Sequence, residues 1–154
     1  MRLVIASVFV CLSAAAAGAA QPPDVAAHAK RADKVVVATV EDVVPRFAVN
    51  EFGDRLIVSE VWLRVEETLK GAPQNLVPMD VEGGTIGDLT LRVSDLPALK
   101  KGERGVFLLD AATGGKSKPH ARGEGILKLD AADRVAGTNL RLADVKATVK
   151  ASQK

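Results

Sequence analysis

Residues 55–71, RLIVSEVWLRVEETLKG, constrain the fold more than any other part of the chain. From Ile57 the odd positions carry Ile57, Ser59, Val61, Leu63, Val65 and Leu69, while the even ones carry Glu60, Trp62, Arg64, Glu66 and Thr68. Successive side chains of a strand point to opposite sides, so this period of two predicts a strand with one core face and one wet face. At about 3.3 Å per residue, roughly fourteen residues span about 45 Å, well beyond the usual five or six. Such a strand must coil or bulge and meet different neighbours at its two ends. The expectation is a small closed or half-closed barrel.

The rest of the chain fits around that ribbon. Asp24 is placed to cap a short helix within residues 21–33, and residues 34–44, KVVVATVEDVV, predict a first strand buried on both faces at its start and ended by Pro45. A hairpin loop over 45–54, with Phe47, Phe52 and an Asn50-to-Gly53 turn signal, leads into the long strand. Residues 76–82 alternate Val77, Met79 and Val81 inward, with Pro78 confined to an edge or bulge, and Gly83-Gly84 turn the chain. Residues 88–93 read as a strand with Leu89, Leu91 and Val93 on one face. Residues 94–103 place Leu96 and Leu99 inward before a turn at Lys100-Lys101-Gly102, and residues 105–109 read as a central strand. Residues 111–118 read as a loop, 122–129 and 134–136 as a final hairpin, and Leu142, Val145 and Val149 as the apolar stripe of a C-terminal helix.

The first twenty residues have the organisation of a signal peptide: Arg2, an apolar run over 3–12 and small residues over 14–20, with cleavage after Ala20 or Ala19. The apolar run is shorter than the ~20 residues of a membrane span. No small residue precedes Cys11, which disfavours a lipoprotein, and no second apolar run follows, so no stable membrane anchor is expected. About 134 residues remain as a single domain, 21–154, whose one cysteine has gone with the leader. An exported chain without disulfides rests on its core alone, which points to a bacterial periplasm or the extracellular space. Without Arg2 there are 20 basic against 19 acidic residues, so no net field draws in nucleic acid.

Three segments, ADKVVVATV, the strand ending VEETLKG, and KKGERGVFLL, resemble the netrin-like modules. That family includes the tissue inhibitors of metalloproteinases, and the segments also resemble a group of exported bacterial proteins sharing the same spacing. The resemblance covers roughly residues 32–109 and implies an all-β chain: an OB-type, five- to six-stranded Greek-key barrel, here with a short N-terminal helix and a C-terminal helix. The metalloproteinase inhibitors chelate zinc through a mature N-terminal cysteine. This chain lacks one, so any inhibition would use a cysteine-independent mechanism.

No catalytic set assembles from the sequence. There are two histidines, His28 and His120, and no tyrosine; Ser117 with His120 is the best nucleophile–base pair, against a solvated loop. The histidines lie more than ninety positions apart without metal-ligand spacing and read as two exposed side chains. Residues 83–87 lack the lysine of a phosphate loop. Lys116, Lys118, His120 and Arg122 form a basic cluster that reads as a solvated loop. No catalytic residue, metal or cofactor is expected. The candidate partner-binding residues are Phe47 and Phe52, which either tuck back or stand at the hairpin tip, and Trp62 with Arg64 on the polar strand face. They point to a non-enzymatic binding module for another envelope or extracellular protein. The alternatives are inhibition of an envelope or extracellular protease, and an OB-type module binding oligomers, for which one tryptophan at near-neutral charge is a poor stacking surface.

Overall fold

The computed structural model describes residues 24–50 and 52–154; the leader expected over 1–20 lies outside them. The chain is mostly β, with helix α1 (Val25–Arg31), strands β1 (Lys34–Val49), β2 (Arg55–Lys70), β3 (Leu76–Glu82), β4 (Gly84–Ile86), β5 (Leu89–Leu91), β6 (Arg104–Ala111), β7 (Ser117–Pro119) and β8 (Ile126–Leu129), and helix α2 (Leu142–Ser152). Six strands form one sheet in the order β1-β2-β3-β7-β6-β8, and β6 also pairs with β1, so the pairings close on themselves. The thinnest seam is the single parallel bridge Met79↔Ser117 between β3 and β7. β4 and β5 form a separate two-stranded flap.

Both long strands bulge, as their length requires. The β1–β2 register leaves one residue unmatched at Glu41 on β1, and at Glu66 and Leu69 on β2. Each bulge moves the alternation by one residue. In β1 the residues facing the inside of the ring are Val36, Ala38 and Val40 before Glu41, and Val43, Pro45 and Phe47 after it. In β2 the odd positions Ile57, Ser59, Val61 and Leu63 are buried as expected, and the bulge at Glu66 explains why Glu66 and Glu67 are both exposed.

Two packed clusters share the first half of β1 and all of β6. Val36, Ala38, Phe107 and Leu109 point inside the ring, toward Leu63, Val77 and Met79. Val35, Val37, Val106 and Leu108 point the other way, against Val25 and Ala29 of α1 and Leu142, Val145 and Val149 of α2. Burial on both faces thus accounts for the unbroken apolar runs in these two strands. Asp24 caps α1, accepting the N–H of Ala27 at 3.0 Å. At the other end of α1, the Lys70 ammonium donates to the carbonyls of Ala29 (2.9 Å), Lys30 (2.9 Å) and Ala32 (2.6 Å), where cation and helix dipole are complementary. Asp33 accepts the N–H of Ala111 at 2.8 Å, and Gly71, at φ +90°, passes so close that a Cβ would lie 3.1 Å from the Asp33 carbonyl.

Several expectations are corrected. Pro45 does not end β1, which runs on to Val49. The β1–β6 pairing stops at Thr39, so Pro45 falls on a sheet edge where its missing N–H costs no ladder bond. The hairpin loop therefore shrinks to a turn at residues 50–54, with Phe47 inside the strand opposite Ile57. Leu89 is exposed on the flap instead of facing the core. The 111–118 segment is not all loop: Ala111 ends β6, and Ser117 and Lys118 belong to β7. The strand expected over 122–129 begins only at Ile126, because residues 122–125 form a 3-10 turn, and its hairpin partner is reduced to the bridge Leu129↔Val135 with main-chain bonds from Asp130 to Arg134 and from Ala136 to Lys128, each 2.9 Å.

Candidate functional site

From Asp42 to Val49, β1 pairs with β2 alone, and beyond the Arg46–Val58 pair, where β2 also leaves β3, the two strands project as a hairpin. The Val43 N–H on this stretch turns to the carboxylate of its own neighbour, Asp42, at 3.0 Å. At the tip the Asn50 side-chain oxygen accepts the N–H groups of Phe52 (3.0 Å) and Asp54 (2.8 Å), and Gly53 takes φ +86°, so the turn is held by one side chain and one glycine. Its geometry leaves apolar side chains uncovered. Phe52 is 80% exposed, Val49 68%, Val44 47% and Phe47 40%. The Arg55 guanidinium lies over the Phe47 ring, 4.0 Å from its centroid, and holds that ring against the strand pair.

Trp62 and Arg64 belong to a different surface. Trp62 pairs with Asp42 and Pro78 on the outer face, whereas Phe47 lies on the face shared with Ile57; five residues along the strand separate the two positions by roughly 17 Å. Trp62 is half-buried and Arg64 exposed. The C-terminal helix does not cover Trp62: it reaches β2 further on, with Lys146 on Glu67 and Gln153 donating to the Leu69 carbonyl at 2.8 Å. Beside Trp62 the outer face carries a balanced quartet. Arg46 meets Asp80 at 2.5 Å and Glu60 at 3.8 Å, and Lys116 meets Glu60 and, at 3.3 Å, Asp80. Hydrogen bonds from its ammonium to these carboxylates raise the Lys116 pKa. Two bases and two acids do not make a basic groove.

The basic cluster is not a solvated loop. Beyond Lys116, Arg122 bonds Asp95 and Glu82 (3.1 Å to Glu82), which raises its pKa and lowers that of Asp95. Backbone follows: a Cβ on Gly123 would collide with the Asp95 carbonyl at 2.0 Å, so residues 95–97 are seated directly on the 122–125 turn.

The two histidines, remote in sequence, meet edge to face with ring centroids 5.5 Å apart. His120 Nδ1 lies 2.8 Å from Asp110, and His28 Nε2 lies 2.9 Å from Glu124. Each histidine side chain is only 14% exposed, which corrects the reading of two exposed rings. Ser117 does not join them. Asp110 pairs with Lys118 across β6 and β7, so Ser117, one residue away, projects from the opposite face. Among the described residues no group of three or more His, Cys, Asp or Glu could hold a metal ion, and no helix is long and apolar enough to cross a membrane.

Where the hairpin, the flap and residues 92–100 face one another there is a cavity of about 810 Å³. The close approach of Gly84 to the hairpin fixes its depth, since a Cβ there would lie 2.6 Å from Ser59 Oγ and 3.2 Å from Pro45. Sequence reasoning located Leu96 and Leu99 but not this space, because three separate segments build it. No family model matches the chain, and no curated protein gives a significant match.

Proposed function

We propose that the protein is an exported, non-enzymatic interaction module that presents the end of the β1–β2 hairpin to another protein of the envelope or extracellular space. The observation that carries this reading is the exposed apolar tip: Phe52, Val49 and Phe47 stand on a hairpin whose turn is rigidly bonded and whose edge carries no further strand. Exposed aromatic side chains on an ordered support lose little freedom on binding and serve as anchors. We read the closed circuit of pairings, with its two long bulged strands, as an OB-type barrel of the netrin-like kind. Export rests on the character of residues 1–20 and on the absence of cysteine after Cys11. Nothing at the tip singles out a protease, so the inhibitor reading gains no residue of its own.

The test replaces both phenylalanines, Phe47→Ser with Phe52→Ser, and compares proteins captured from the native envelope and secreted fractions by wild type and variant. A specific partner retained by wild type and lost by the variant, at unchanged thermal midpoint, is the expected result. An identical captured set overturns the assignment of the tip.

A further inference from the structure

We propose that the cavity under the β4–β5 flap binds a single-chain amphiphilic carboxylate, with its alkyl chain inside and its head group at a rim formed by Arg92 and Lys100. At about 810 Å³ the space falls within the roughly 300–1,000 Å³ typical of small-molecule sites. Its wall is built by Val43, Pro45, Val61, Val81, Leu96 and Leu99. Three of its four hydroxyls are already engaged: Ser59 Oγ donates to the Gly83 carbonyl at 2.7 Å, and the Thr85 and Thr90 hydroxyls share a hydrogen bond of 2.9 Å, while the fourth, Ser94, is exposed on the same segment as the two cations. A wall dominated by valine, leucine and proline, with Ser59 turned to the main chain, rewards an alkyl chain.

The rim supplies the sign of the head group. Three ionisable side chains line the cavity, and the only acid, Glu82, faces Arg122 at 3.1 Å. Arg92 and Lys100 are exposed, and among the described residues neither has an acidic side chain within ion-pair distance; Lys100 meets Glu103 only through its main-chain N–H, at 2.8 Å. Two unmatched cations at the mouth of an apolar pocket select an anion with an apolar body. This site uses the inner face of the hairpin and stands whether or not the exposed tip binds a protein.

Calorimetric titration of the purified protein with dodecanoate, kept below its micelle threshold, and with dodecanol tests the proposal. Dodecanoate is expected to bind saturably at one site. The exposed double variant Arg92→Glu/Lys100→Glu should weaken dodecanoate by about tenfold or more while leaving dodecanol within about twofold, as reversing two nearby charges predicts. Thr90→Trp, placed on the flap outside the packed core, should fill the mouth and remove both ligands, with circular dichroism and the thermal midpoint confirming that each variant is folded. No dodecanoate binding by wild type, indifference to charge reversal, or unaltered binding in Thr90→Trp each overturns the proposal. Retention of the protein on phosphatidylglycerol vesicles without binding of monomeric dodecanoate also overturns it, in favour of a membrane surface.

Discussion

The two ends of β1 show what one strand does in two settings. Its first half, Val35 to Ala38, lies between two neighbouring strands and is covered on both faces, by the inside of the ring and by α1 and α2. Its second half has one neighbour, one half-open face over the cavity and a tip in solvent. Composition follows setting: KVVVATV gives way to PRFAV, and small branched residues that fill a core give way to a proline and an aromatic. The helix end is where packing holds the molecule together, and the hairpin end is where surface is free to be used.

The largest effect expected from this contrast is thermodynamic. Leu108→Ala opens a hole where the side chain is fully buried beneath the helices and should cost about 2–5 kcal/mol in chemical denaturation. Phe52→Ser, at a site 80% exposed, should stay within about 0.5 kcal/mol. Equal costs would break the comparison. Gly84→Val probes the boundary between the two ends, because Gly84 has φ +140° and no room for a Cβ against Ser59; about 1–3 kcal/mol is expected. A neutral result would mean that the flap does not sit on the hairpin.

The smallest effect sharpens the picture at the Glu66 bulge. Burial alone would raise the Glu66 pKa, but hydrogen bonds from Thr39 Oγ (2.6 Å) and Arg104 Nε (2.7 Å) outweigh it and hold the carboxyl below its ordinary 4.5. A carboxyl lowered in the folded state stabilises above its unfolded value, and that contribution is lost as pH falls through the folded one. Glu66→Gln should therefore flatten the acid side of the stability profile, by less than about 1 kcal/mol since the pair is partly solvated. An unchanged profile below pH 5 would remove Glu66 from the account.

The sequence was legible where one local period operated. The long strand, the Asp24 cap, the apolar β6 and the stripe Leu142, Val145, Val149 all repeat at a spacing that their own element imposes. It was illegible where the period slips or the partner is distant. The bulge at Glu41 moves the inward positions of β1 from even to odd, so a reading that stops at Pro45 misplaces Phe47 in a loop. Contact between His28 and His120 depends on α1 packing over the strands, which no spacing encodes. The Asn50-to-Gly53 turn put Phe52 in the loop, but whether it tucked back or stood out at the tip depended on packing that only the structure shows. The ADK and LKG segments turn out to carry structural tasks, with Asp33 holding β6, Lys70 holding α1 and Gly71 allowing the crossing.

Pro45 has a consequence for life at high concentration. A bare sheet margin flanked by valine and phenylalanine is a template on which further molecules can add strand by strand and grow into fibrils. Here proline offers no amide at one site, and Asp42 already occupies the amide of Val43 two residues earlier, so a recruited strand would find consecutive donors missing. The exposed apolar tip thus sits beside a flank that offers an incoming strand no continuous row of donors.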